Sequence, residues 1–230
     1  MAKLSTGFQP LDKLLGGGIE SNTITEVYGE AGSGKTNMAL LLTKTCALLG
    51  KKVIYIDTEG ISLERLEQIA GNDFEKVMEE FRHAQPYSMK EQEKAVKQAV
   101  KVAESGKIGL IVVDSISGFY RLDLGTDEES SGVRSLTSQM IGLLTASRRY
   151  GVPVFITNQV YTDRERREYR PIGGHIVDHY AKTIIRLDRL HGGKRRAVLM
   201  KHRSKREGDY ALFRIVERGF EEVEKSSDLE

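Results

Sequence analysis

The octapeptide Gly29-Glu30-Ala31-Gly32-Ser33-Gly34-Lys35-Thr36 constrains the fold more than any other stretch of the chain. It fits GxxxxGK[ST], a loop that works only between a strand and a helix. Both are written in its flanks. Thr23–Tyr28 is β-rich and ends at glycine, while Lys35–Leu49 has a helical pattern closed by Gly50. Glycines let backbone N–H groups converge on phosphate oxygens with no Cβ in the way, and the helix N-terminus adds partial positive charge.

The rest of the chain continues the alternation. Val53–Ile56 is a short apolar strand ending in Asp57-Thr58-Glu59-Gly60. Ser62 is placed to cap a helix over Leu63–Ala70, and Ser88 to cap a longer one reaching Glu104. Ile108–Val113 is an unbroken apolar run, as expected of a strand covered on both faces. A helix is expected over Ser135–Arg149, followed by the strand Val154–Thr157. Phe81-Arg82-His83-Ala84 has FxxA spacing but reads as a core strand. The last third changes character. Thr183–Leu187, Ala197–Met200 and Ala211–Val216 read as strands joined by tight turns, with His191-Gly192-Gly193-Lys194 a hairpin. The pattern predicts a mainly parallel sheet flanked by helices and extended by antiparallel C-terminal strands.

The loop points to ATP and Mg²⁺. Gly29, Glu30, Ala31, Gly32, Ser33, Gly34, Lys35, Thr36 and the adjoining Asn37 are the candidate nucleotide contacts. Lys35 is expected to reach the β- and γ-phosphates. The Thr36 hydroxyl and Asp114, which emerges from the apolar strand, are the candidate Mg²⁺ ligands. Hydrolysis also needs a group that orients water. Glu59 is the favoured candidate and Asp57 its competitor, since both end the same strand. Gln159 ends another strand at the same sheet edge, where its amide can hydrogen-bond the γ-phosphate and relay its loss to the segment that follows.

That segment is basic. Between Val160 and Arg206 there are fourteen Lys/Arg against five Asp/Glu, although the whole chain has a formal net charge of only +2. The asymmetry suggests one face that attracts a polyanion. Arg164, Arg166, Arg167 and Arg170 are interleaved with Tyr161 and Tyr169, and Lys194, Arg195 and Arg196 form a second basic set. Arginine contacts phosphate bidentately and tyrosine stacks on bases, so a nucleic acid is the expected partner. Lys201 and Arg203 have a second use, as fingers reaching a neighbouring subunit's γ-phosphate in a homo-oligomer. His175 and His179 are four apart, but no third ligand and no HExxH glutamate accompany them, which argues against a metal. The single cysteine, Cys46, reads as a packed core thiol. No apolar run approaches the ~20 residues of a membrane helix, and the N-terminus lacks a signal peptide's apolar stretch. An intracellular setting without a membrane partner is therefore expected.

Several motifs occur together and in order: Leu14-Leu15-Gly16-Gly17-Gly18-Ile19, Ile24-Thr25-Glu26-Val27-Tyr28-Gly29, the phosphate loop, Tyr55-Ile56-Asp57-Thr58-Glu59-Gly60, Thr157-Asn158-Gln159-Val160 and Gly173-Gly174-His175. In this combination the chain resembles the archaeal members of the RecA/RadA recombinase family over nearly its whole length. Starting directly at the ATPase core, it resembles the family's short paralogues, RadB. The resemblance implies a RecA-like P-loop ATPase core, one domain spanning 1–230 with no N-terminal helical DNA-binding domain. It implies a role in homologous recombination and DNA repair with weak ATP turnover and no strand exchange, in a nucleoid-associated protein. It assigns Lys35 and Thr36 to nucleotide and Mg²⁺, Asp114 to the metal and Glu59 to the water. Gln159 becomes the switch that opens a second DNA-binding loop, Val160–Gly173. The implied partners are DNA, single-stranded or branched, the RadA recombinase and a Holliday-junction nuclease.

Three departures fit a reduced role. The first DNA loop of the family should fall near Gly118–Val133, which here holds Asp123, Asp127, Glu128 and Glu129 against only Arg121. Like charge there disfavours single-strand binding. Ala31 replaces the aromatic usual in RadA-type loops, and no FxxA linker precedes the core. A competing likeness is to KaiC-type signalling ATPases without DNA binding. These share Ser5-Thr6-Gly7, Leu11-Asp12, Leu15-Gly16-Gly17-Gly18 and a KxR segment like Lys201-His202-Arg203.

Overall fold

Every strand at the centre of the sheet buries alternate residues on opposite faces, so helices must cover both sides. The computed structural model describes residues 2–120, 129–163 and 168–224. A small strand pair, β1 (Lys3–Leu4) and β2 (Ile19–Glu20), brackets α1 (Gln9–Leu15). Then come β3 (Ile24–Gly29), α2 (Lys35–Leu48), β4 (Lys52–Asp57), α3 (Leu63–Ala70), α4 (Phe74–Glu80), β5 (Phe81–Ala84), α5 (Met89–Ala103) and β6 (Ile108–Asp114). After α6 (Glu129–Tyr150) and β7 (Val154–Asn158), β8 (Val160–Asp163) and β9 (Glu168–Pro171) form a hairpin of their own. Helix α7 (Gly174–Tyr180) leads to β10 (Ala181–Arg189), β11 (Lys194–Lys201), β12 (Tyr210–Val216) and β13 (Gly219–Glu222).

The main sheet has nine strands in the order β13-β12-β11-β10-β3-β7-β6-β4-β5. From β10 to β5 neighbours are parallel, whereas β10 to β13 are joined antiparallel. One core packs Val27, Val53, Tyr55, Leu110, Val112 and Phe155 under α1 to α4. The opposite core packs Ile24, Ile54, Ile56, Ile111, Val113, Val154 and Ile156 under α5, α6 and α7. The two sets are successive residues of the same strands, which is why those strands read as unbroken apolar runs.

Local signals mark several boundaries. The Ser62 and Ser88 hydroxyls accept from the backbone N–H of Arg65 and Glu91, capping α3 and α5. The turn His191–Gly193 joins β10 to β11 with both glycines at positive φ, as the hairpin motif requires. Two expectations need correction. Helix α6 begins at Glu129 rather than near Ser135, because its first turns are polar and carry no apolar period. Phe81–Ala84 is the sheet's edge strand, paired only with β4, and buries Phe81 while exposing Arg82 and His83. Among the described residues no helix is long and apolar enough to cross a membrane.

Two buried groups carry predictions. Cys46 is 1% exposed on α2, and burial pushes its thiol up to about 12. The folded protein should resist aromatic disulfide reagents at pH 8 and react with one equivalent once unfolded. Glu26 lies wholly buried in β3. Desolvation raises it to about 8, opposed by a hydrogen bond from Asn158 and by Lys201, and reinforced by Asp178. Between its unfolded value of 4.5 and about 8 the folded chain keeps a proton that the unfolded chain has lost. Stability should therefore fall as pH rises through that window and level off above it. Glu26→Gln keeps an acceptor for Asn158, so the variant's urea midpoint relative to wild type should climb from pH 5 to pH 8.

Candidate nucleotide site

The parallel strands all end on one edge, and the chemistry-bearing residues gather there. The loop after β3 turns directly into α2, with Gly32 at φ 73° and Gly34 at φ 109°. A Cβ on Gly29 would lie 2.4 Å from the Leu187 carbonyl oxygen and 2.8 Å from Ser33 Oγ, so only glycine fits. The Lys35 ammonium is buried and donates to the carbonyls of Gly29 (2.8 Å) and Glu30 (3.1 Å). Desolvation lowers its pKa, while Glu59, Asp114 and Glu30 hold it up. Ser33 Oγ is buried with no partner among the described residues.

Asp114 ends β6 and is 1% exposed. Tyr55 Oη on β4 donates to its Oδ2 at 2.7 Å, and Thr157 Oγ1 on β7 donates to Oδ1. Desolvation raises its pKa, against lowering by Thr157, Tyr55 and the Thr36 side chain. The Asp114–Ser115 peptide is cis. Neither Tyr55 nor Thr157 was among the sequence candidates. Their role depends on the order β4-β6-β7, which no local pattern announces.

The two carboxylates after β4 have different surroundings. Asp57 is fully buried and accepts from the backbone N–H of Glu59 (3.0 Å), Gly60 (2.8 Å) and Ile61 (2.8 Å). Its Oδ2 is also 3.0 Å from His83 Nε2. With its acceptors spent on the turn, Asp57 is not available to water. Glu59 is exposed, and Gln159 Nε2 donates to its Oε1 at 2.7 Å. This bond joins the end of β4 to the end of β7. Behind it, Asn158 Nδ2 donates to Glu26 Oε1 (2.8 Å) and to the Ile172 carbonyl (3.0 Å), and Ile172 N–H donates to the Gln159 carbonyl (2.9 Å). Both ends of the 160–173 segment are thus tied to the same strand end.

Side chains from elsewhere brace the loop. Arg65 donates to Asn37 Oδ1 (2.7 Å) and to the carbonyls of Val216 and Glu217 (each 2.7 Å), linking α2 to the β12–β13 turn. Arg195 Nε donates to the Gly32 carbonyl at 3.1 Å. Tyr169 Oη on β9 lies 3.3 Å from Glu30 Oε2 and donates to it. No local sequence pattern signals any of these three braces.

The basic residues divide by position. Arg164, Arg166 and Arg167 lie outside the described residues. Arg170 Nε is 3.3 Å from Asp163 Oδ2. Arg196 and Arg186 share Asp188, at 2.9 and 2.8 Å. Lys194 is half-buried at the start of β11. Lys201 donates to the Asp178 carbonyl, and Arg203 pairs with Glu20 at 2.9 Å and with Asn22 at 3.0 Å. Lys201 faces Ile184 on β10, three residues before Leu187, which faces Gly29. At about 3.3 Å per residue, Lys201 is set back from its own phosphate loop toward the opposite end of the sheet.

The residues fit a nucleotide and a hard cation. A loop that opens on a glycine with no room for a Cβ, an unpartnered buried serine hydroxyl and a buried ammonium suit phosphate, and a Thr36–Asp114 oxygen pair suits Mg²⁺.

The Rad51 family profile matches residues 1–223. The chain is 43% identical over 218 residues to the DNA repair and recombination protein RadB of Methanococcoides burtonii, covering 94% of this chain and 96% of that protein. It is 41% identical over 219 residues to the protein of the same name from Archaeoglobus fulgidus, covering 95% and 97%. A crystal structure of the RadB recombinase superposes with a TM-score of 0.83 at 39% identity, covering 96% of this chain and 100% of that one. The fold is RecA-like, and in this family that fold implies nucleotide binding with Mg²⁺. The chain belongs to the Rad51 family, among its archaeal RadB members.

Proposed function

We propose that this protein is an ATP- and DNA-binding accessory ATPase of homologous recombination and DNA repair. The observation that carries the reading is the Gln159–Glu59 hydrogen bond, which ties the nucleotide edge of the sheet to the base of the arginine-rich hairpin. The names of its relatives, DNA repair and recombination proteins, support the pathway.

In this reading the loop N–H groups and Lys35 hold the phosphates of ATP, while Thr36 and Asp114 would hold Mg²⁺, which would supply charge neutralisation for the phosphates. Glu59 orients water and accepts its proton. Gln159 leaves Glu59 when a γ-phosphate offers a better acceptor, and this moves the segment from Val160 to Gly173. Arg170, Lys194 and Arg196, with Arg164, Arg166 and Arg167, supply the DNA-facing charge, while Arg195 braces the phosphate loop. The partly exposed pairs Arg170–Asp163 and Arg196–Asp188 are each worth about 0–1 kcal/mol, so a phosphate can replace them. Lys201 and Arg203 are set back from the protomer's own loop and serve a second copy. Turnover is weak and strand exchange is not supported, because the stretch around Asp123, Asp127, Glu128 and Glu129 repels a single strand. The expected protein partners are the RadA recombinase and a Holliday-junction nuclease.

Glu59→Gln should lower ATP turnover about 100-fold or more while leaving ATP affinity near wild type. An unchanged rate would remove Glu59 from the reaction. For DNA, the log–log salt slope on a single strand should shrink by about 0.7 for each phosphate no longer neutralised in an Arg170→Ala, Lys194→Ala, Arg196→Ala variant. The same slope in both proteins would move the DNA face elsewhere.

A further inference from the structure

The outer strand β5 takes no part in the nucleotide chemistry described above, yet one of its side chains reaches into the turn that carries Glu59. His83 faces Tyr55 across the parallel β4–β5 pair. Its ring stacks on Phe81, two residues earlier, with 5.7 Å between centroids and 14° between planes. It meets the Tyr55 ring edge-on at 6.4 Å and 64°. Packed in this way, His83 brings Nε2 to 3.0 Å from Asp57 Oδ2. The His83 side chain keeps 31% of its surface exposed, whereas Asp57 is fully buried. Both Asp57 oxygens already accept from backbone N–H groups, so Nε2 is the ring nitrogen that bears a proton and donates.

The turn after β4 hangs on that carboxylate. Thr58 is fastened to the end of β6, its N–H donating to the Asp114 carbonyl at 2.8 Å and its hydroxyl to the Ser115 carbonyl at 2.9 Å. The next three amides, of Glu59, Gly60 and Ile61, all donate to Asp57. Those three donors belong to the turn and move with it. The torsion that rotates a carboxylate about its last bond is broad, so an outside donor is needed to fix its direction. Among the described residues, His83 is the one side chain that hydrogen-bonds Asp57, and it stands on a different strand. A ring without the N–H would preserve the packing on Phe81 and Tyr55 and leave the turn without this tie.

We propose that His83 is a positioning residue for ATP hydrolysis: it fixes Asp57, Asp57 fixes the turn, and the turn aims Glu59 at the attacking water. His83 touches neither nucleotide nor water in this scheme. The inference rests on the ATPase reading above and deepens it. It gives the exposed edge of the sheet a mechanical connection to the reacting end, through one hydrogen bond and one buried carboxylate.

The test uses the full chain and two substitutions that separate the ring from its proton. His83→Phe keeps an aromatic ring and removes the donor. His83→Gln removes the ring and keeps an N–H donor at similar reach. His83→Phe should lower kcat roughly 10- to 100-fold, the scale of an ångström-sized misplacement, with the dissociation constant for Mg-ATP near wild type. His83→Gln should recover most of that rate. Hydrogen exchange of a peptide spanning residues 59–61 should be faster in His83→Phe and close to wild type in His83→Gln. In a Glu59→Gln background His83→Phe should add almost no further loss, because both changes act through one carboxylate. Wild-type turnover in His83→Phe would overturn the proposal, as would a loss equally deep in His83→Gln, which would make the ring and not its proton the essential part. ATP affinity falling in step with kcat, or a full additional loss on top of Glu59→Gln, would overturn it as well, while leaving the ATPase reading intact. Wild type with no ATP turnover would sink that reading and the role of His83 with it.

Discussion

One buried carboxylate holds the centre of this molecule together. Asp114 ends β6, takes hydrogen bonds from Tyr55 on β4 and Thr157 on β7, and meets the Thr36 side chain at the start of α2. Three adjacent strands and the helix that carries the phosphate loop therefore share one anchor. An isolated charge at such depth would be costly, and burial does raise its pKa. The donors around it offset part of that cost. A divalent cation placed between Asp114 and Thr36 would offset more, so the nucleotide site and the middle of the sheet are stabilised by the same group.

The second constraint is the shared edge. Because β3, β4, β6 and β7 run parallel, their C-terminal ends present Gly29, Asp57-Thr58-Glu59, Asp114 and Asn158-Gln159 side by side. Asp57 gives up its acceptors to shape the turn, which leaves Glu59 projecting. Gln159 then meets Glu59, while its neighbour Asn158 clamps the exit of the 160–173 segment at Ile172. Tyr169 adds a second tether from the hairpin to Glu30. Nucleotide chemistry and the basic hairpin are thus connected at both the base and the side of the ribbon.

Much of this was legible in the sequence where the signal is local. The phosphate loop, the apolar runs of the parallel strands and the caps at Ser62 and Ser88 depend on neighbours a few residues away. What was not legible depends on strand order or on side-chain direction. Tyr55 and Thr157 look like ordinary strand residues until β4, β6 and β7 are placed in sequence. Asp57 and Glu59 end the same strand, and only the turn's hydrogen bonds separate an anchor from a projecting acid. Arg195 and Arg196 look equivalent in a basic run, yet strand alternation sends one to Gly32 and the other to Asp188. The edge position of Phe81–Ala84 is a property of the whole sheet.

We propose that the Gln159–Glu59 bond transmits nucleotide state to the basic hairpin segment. The direct measurement is the dissociation constant for a single strand, with and without saturating ATP and Mg²⁺, in wild type and in Gln159→Ala. ATP should shift the wild-type constant by about 5- to 150-fold, and the shift should disappear in the variant although it still binds ATP. An equal shift in both proteins would show that the coupling runs by another route.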